Sequence, residues 1–332
     1  MTTETLSRIL HTRSAAVAIV AVAAIAVSVV AACGGAGGEW LTHADAPGSR
    51  PWLSSDAEWS AAANAAVLCG IMLLMQYVNR RYNVLRTMTA LFIGIFAVMQ
   101  AATPALALWL NVGTILAAVV MVAVLLLYRT YGDARAQRSV FLIFFLLAIA
   151  TLLTRFYGFV AYGVLFVVGC VQMRIFNVRT ALAILLGIVS AAVIYFSAAY
   201  AAADTAPQFS FTSYGSILDG EDFVETLTVL LTAALTALVA VVALTANIFK
   251  TIAYNARSRA YSGFLVIAVL FTIIVMAVDY RHFAIYMPAL NCFAAFQVAH
   301  FFAIHRRDKS CLGVIGIAVT FLMICVWRII EI

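Results

Sequence analysis

Residues 139–173 read SVFLIFFLLAIATLLTRFYGFVAYGVLFVVGCVQM, an apolar stretch whose only charge is Arg155. As a single helix it would extend about 52 Å, against about 30 Å of hydrocarbon in a bilayer. Two shorter helices fit if the membrane thins locally. The flanks decide between them. Arg135 and Arg138 precede the stretch, and Arg174 and Arg179 follow it. Cytoplasmic loops of membrane proteins are enriched in Arg and Lys. Both flanks therefore belong on the same side, and the chain crosses twice, turning at Thr154-Arg155-Phe156-Tyr157-Gly158. Residues 87–128 obey the same logic. Arg86 and Arg129 bracket them, and Pro104 and Asn111 flank the expected turn.

The rest of the chain follows this pattern. Of 332 residues, 65% are hydrophobic and 10% charged, whereas an ordinary soluble domain is about 25% charged. That composition excludes a soluble enzyme, a disordered chain and a secreted disulfide scaffold. Apolar runs fall at 14–32, 61–78, 87–103, 108–127, 139–153, 156–173, 180–202, 226–247, 260–278, 283–304 and 310–327. The expected fold is all-α, a polytopic transmembrane helix bundle of about eleven spans, read as a single integral membrane domain over 1–332. The N-terminus is expected inside and the C-terminus outside, with outer loops at 33–60 and 203–225.

Charge tests this threading. It places sixteen of the twenty Lys and Arg on the inner side and eleven of the fourteen acids on the outer side. Acids weigh little in orientation, so the basic residues carry the argument. The net charge of +6 is then a topology signal, and no nucleic-acid partner is expected. The expected setting is a bacterial inner membrane. The expected partners are the bilayer and, at the inner basic turns, anionic lipid headgroups, at about 1 kcal/mol per basic residue.

The first segment carries Arg8 and Arg13, an apolar run and then Val30-Ala31-Ala32-Cys33. This resembles a lipoprotein signal with a lipidated Cys33. The run of about 19 residues exceeds the usual apolar core of a signal peptide, which favours a retained first helix. The six cysteines form no CxxC pair. Five lie in apolar runs and read as small hydrophobes; no metal site or cofactor is expected. Neither Walker A, nor GxGxxG in a βαβ context, nor HExxH occurs.

Candidates for chemistry are few. Polar groups inside spans are costly and often functional. The penultimate span holds Pro288, Asn291, Gln297 and His300, with Gln297 and His300 on one face. The plainer alternative for these is hydrogen bonding between helices. Arg155 and Arg281 stand on the outer side, against the charge bias. Their plain reading is pairing with Asp279 or snorkelling. Their sharper reading is phosphate binding, since guanidinium recognises phosphate bidentately. His282 would then act as acid or base, oriented by Asp279. The acids of 203–225 read as a solvated face.

Val78-Asn79-Arg80-Arg81-Tyr82-Asn83-Val84-Leu85-Arg86-Thr87, Tyr128-Arg129-Thr130-Tyr131, Phe176-Asn177-Val178-Arg179-Thr180 and Leu185-Leu186-Gly187-Ile188 succeed one another along the chain. Their order resembles a family of uncharacterised polytopic inner-membrane proteins of Bacteroidetes-type bacteria, over roughly residues 50–330. The resemblance implies cell-envelope work and supplies no catalytic residues. A fainter likeness is to multispan glycosyltransferases and polymerases acting on lipid-linked sugars. That likeness implies a catalytic acid in the first outer loop, for which Glu39, Asp45, Asp56 and Glu58 are the candidates. Three function classes follow: a non-catalytic or assembly component of the envelope, an outer-leaflet enzyme on lipid-linked glycans, and a transporter or flippase.

Overall fold

The structure is a computed structural model. It describes residues 57–85, 91–103, 106–107, 109–133, 136–203, 209–212, 214, 223–251, 255–304, 316–317, 319–321 and 323–324. Among the described residues there is no strand. The long helices are α1 (Ala57–Tyr82), α2 (Leu91–Ala101), α3 (Val112–Arg129), α4 (Ala136–Thr154), α5 (Gly158–Gln172), α6 (Val178–Ala203), α7 (Phe223–Thr251), α8 (Ala256–Val278) and α9 (Phe283–Ile304), with a 3₁₀ turn at Tyr280–His282.

Six of these helices contain segments long and apolar enough to cross a membrane: Trp59–Tyr82, Val112–Arg129, Ala136–Thr154, Val178–Ala201, Thr226–Ile248 and Ala256–Val278. They make the chain a multi-pass membrane protein. The 35-residue apolar stretch is two helices broken at Arg155, which adopts a left-handed φ of 55°. α2, with 11 residues, rises only about 16 Å. The first expected span (14–32) and the first outer loop up to residue 56 lie outside the described residues. So do most of the last expected span (310–327) and most of the 203–225 loop. Residues 57–60, expected in the first outer loop, are the first turn of α1.

Buried hydroxyls explain how threonines sit inside apolar helices. Thr151, Thr154, Thr232, Thr236 and Thr272 each donate to the carbonyl four residues earlier, at 2.7–2.9 Å. Such back-bonding leaves no hydroxyl facing lipid.

Sequence reading treats the chain as one membrane domain, whereas packing divides it into two compact units. Val119–Ser213 forms the smaller, and the remainder of the chain the larger. The smaller unit is built on α4 and α6. Gly187 brings their backbones together: a Cβ there would lie 2.7 Å from the Phe141 carbonyl oxygen. Ala183, Gly187 and Ala191 are buried at four-residue spacing, the small-xxx-small pattern that lets membrane helices approach. Away from this stripe, α6 exposes Leu182, Leu185, Leu186, Val189, Val193 and Ile194, a surface suited to lipid.

The larger unit is organised around α9, which packs against α2, α7 and α8. Residues from Phe283 through His300 are buried without interruption. Pro288 lies inside the helix, removing the bond to the Ala284 carbonyl, a break tolerated where neighbouring helices enclose the backbone. The register of α9 against its neighbours follows from particular contacts. Phe92 stacks on Phe296 at 5.2 Å, and Asn291 bonds Gln100, so α2 and α9 are antiparallel. Val229 and Ala233 cluster with Phe283 and Met287, and Asn247 bonds Gln297, so α7 and α9 are parallel.

Candidate functional site

The break between α2 and α3 leaves main-chain groups outside the helical ladders within an apolar protein, where every carbonyl needs a donor and every amide an acceptor. Four side chains satisfy this need. Asn64 on α1 donates to the carbonyls of Ala107 at 2.6 Å and Leu106 at 3.4 Å. Gln100, near the end of α2, donates to Leu106 at 3.3 Å. Asn111 donates to Leu106 and Trp109, and its Oδ1 accepts the Thr114 amide at 2.9 Å, capping α3. Ser60 Oγ accepts the Leu110 amide. Asn177 and Thr180 repeat the Asn-x-x-Thr cap at the start of α6, since Asn is a strong helix N-cap.

This turn connects to α9 through Asn291, whose Nδ2 donates to Gln100 Oε1 at 3.1 Å. Further along α9, Asn247 Nδ2 donates to the Gln297 carbonyl at 2.9 Å and to Gln297 Oε1 at 3.1 Å. Amide orientation is assigned from such partners. A main-chain carbonyl can only accept, so Asn64, Gln100 and Asn247 must each turn their nitrogen towards it. Each chain of amides is thereby pinned. Asn64 Oδ1, Asn247 Oδ1, Asn291 Oδ1 and Gln297 Nε2 then have no hydrogen-bond partner among the described residues.

The turn before α9 gathers the other candidates. His282 Nδ1 lies 2.8 Å from Asp279 Oδ1, and Tyr286 Oη donates to Asp279 Oδ2 at 2.8 Å. His282 Nε2 lies 3.3 Å from the Tyr214 carbonyl oxygen. The side chains of His282 and Asp279 are only 14% and 13% exposed. Both ring nitrogens and both carboxylate oxygens therefore meet groups of the chain itself. Asp279 does orient His282, as the sequence suggests, but the far nitrogen faces main chain.

The sequence-predicted residues distribute as follows. Asn291 and Gln297 are joined to other helices, and His300 is buried at 1% exposure on the same helix. Asp279, Arg281 and His282 stand together in the larger unit, with Arg281 exposed. Arg155 belongs to the smaller unit, where its carbonyl accepts the Thr212 amide at 3.1 Å. Glu39 and Asp45 lie outside the described residues. Sequence reasoning missed Asn64, Gln100, Asn247, Tyr286 and Tyr214. The first three are amides inside long apolar runs, a signal as visible as Asn291; the two tyrosines left none. Cys170 and Cys292 are buried free thiols and Cys69 is partly buried, so these three pack as hydrophobes.

Comparison with family models, with curated proteins and with solved structures finds no match to this chain. The class rests on the fold: an all-helical, multi-pass membrane protein with an amide-laced central helix.

Proposed function

We propose that the protein is a non-catalytic component of a bacterial inner membrane, serving cell-envelope assembly. In this reading it is threaded with eleven spans, N-terminus inside and C-terminus outside. One observation carries the non-catalytic reading. The best candidate acid–base pair, Asp279 and His282, spends its atoms on Tyr286 and on the Tyr214 carbonyl. A scaffold buries its polar groups in contacts between helices, and Asn291 with Gln100 and Asn247 with Gln297 fit that demand. The envelope setting rests on the family resemblance.

As a structural clamp, His282→Ala should lower thermal stability in detergent by about 1–3 kcal/mol, because it leaves the half-buried Asp279 carboxylate short of a partner. Tyr286→Phe should also destabilise, and the two changes should be non-additive, since both act through Asp279. Additive losses would separate the groups. For the function, cross-linking in native membranes followed by purification should recover a stoichiometric integral-membrane partner. The reading fails if the purified protein alone transfers or polymerises lipid-linked sugar and loses that activity on Arg281→Ala. A transporter reading draws on one observation, the amide atoms of Asn64, Asn247, Asn291 and Gln297 that are buried without a hydrogen-bond partner among the described residues. Substrate flux in proteoliposomes, abolished by Asn291→Leu, would establish it.

A further inference from the structure

In the smaller unit, the turn after α3 and the turn between α5 and α6 border an open cavity of about 610 Å³. That volume falls in the range of about 300–1,000 Å³ typical of ligand sites. Its polar lining is Tyr131, Asp133, Gln137, Arg174, Asn177 and Thr180. Donors dominate: one guanidinium and two amides face a single carboxylate.

Two observations set Arg174 apart. First, it ends α5 in a left-handed conformation, φ 58°. The Ile175 amide reaches back to the Cys170 carbonyl, and the Arg174 amide to that of Val171. This is a Schellman ending, whose left-handed position is usually glycine. Arginine there is disfavoured relative to glycine, so the backbone alone does not call for it. Second, basic groups outnumber acidic ones around it, with Asp133 the carboxylate in the lining. Arg129, Arg138 and Arg179 lie at the ends of the helices that meet these turns. None of the four arginine side chains forms an ion pair among the described residues. Asn177 caps α6 here, and the positive end of that helix dipole has the same sign.

We propose that this cavity binds a phosphate-bearing anion through Arg174, supplied either by an anionic phospholipid headgroup or by soluble phosphate. Arginine grips phosphate oxygens bidentately, and basic pockets between membrane helices suit anionic headgroups. The proposal is independent of the scaffold reading, because a transporter or an enzyme would hold the same lipid.

The test uses the full chain in neutral detergent, titrated with phosphatidylglycerol, phosphatidylcholine or inorganic phosphate. Bound species are read by native mass spectrometry and unfolding by heating. Arg174→Gly suits the backbone, so its midpoint without ligand should equal or exceed that of the parent. Its affinity for phosphatidylglycerol should fall at least tenfold, while Arg81→Gln, an exposed cation in the other unit, should change it less than twofold. Phosphatidylglycerol binding with no response to inorganic phosphate assigns the lipid; the same Arg174 dependence with inorganic phosphate alone assigns the soluble anion. The proposal is overturned if phosphatidylcholine binds as well as phosphatidylglycerol. It is equally overturned if Arg81→Gln weakens binding as much as Arg174→Gly, since that would mark diffuse surface attraction.

Discussion

Gly113→Ala should destabilise the protein by about 1–3 kcal/mol, the usual cost of forcing an extra methyl into a packed core. The new Cβ would lie 2.5 Å from the Ile285 carbonyl oxygen and 3.0 Å from Asn111 Oδ1. The first neighbour is main chain of the central helix. The second is the cap of α3 and part of the amide cluster in the break. Neither is a flexible tip, so relief requires α3 and α9 to separate. Alanine's better helix propensity opposes this by at most about 1 kcal/mol, too little to reverse the sign. Gly187→Ala should behave alike, with Phe141 main chain at 2.7 Å. Gly70→Ala provides the contrast, because nothing lies within 4 Å of its Cβ, and it should be neutral or slightly stabilising. Thermal unfolding in one detergent ranks all three. Equal midpoints for the Gly113 and Gly70 variants would refute the close approach.

Asn64→Leu should cost about 1–3 kcal/mol, the penalty for leaving a buried carbonyl without its donor. Hydrogen bonds between membrane helices average only about 0.6 kcal/mol, which would suggest less. The larger figure applies because Leu106 and Ala107 form a short helical turn in the break, where both residues are buried and both carbonyls accept from the Asn64 side chain. Asn64→Asp separates shape from chemistry. It keeps the volume yet sets an oxygen against two carbonyl oxygens, so it should be worse than leucine. If aspartate proves the milder change, the nitrogen does not point at the break.

Much of the fold was legible from charge and length. Arg138 and Arg174 on either side of 35 apolar residues required two helices, and the chain breaks at Arg155. Pro104 and Asn111 marked the α2–α3 turn. Length left the surroundings of two segments unread. Within 87–103 the described helix covers 91–101 and leads into a polar cluster. Residues 283–304 read as one span among many, and α9 proves enclosed by protein along most of its length. Hydropathy cannot tell a helix buried in protein from one buried in lipid, because both are apolar on every side. Asn291, Gln297 and His300 were the available hint. The candidate site was less legible. Adjacency along the chain predicted the Asp279–His282 pair, three residues apart. Tyr214, 68 residues away in sequence, reaches His282 only through tertiary folding.

The account rests on the arginine-bearing turns sharing one side of a membrane that the helices cross. Single cysteines at Tyr280, Asn255 and Phe176, in a variant lacking the six native cysteines, test this with a membrane-impermeant maleimide. Tyr280 and Phe176 are 58% and 50% exposed, and Asn255 is exposed, so reagent access is set by the membrane. Tyr280→Cys should react in intact cells, whereas Asn255→Cys and Phe176→Cys should react only after permeabilisation. Labelling of Phe176→Cys in intact cells to the same extent as Tyr280→Cys would contradict the threading.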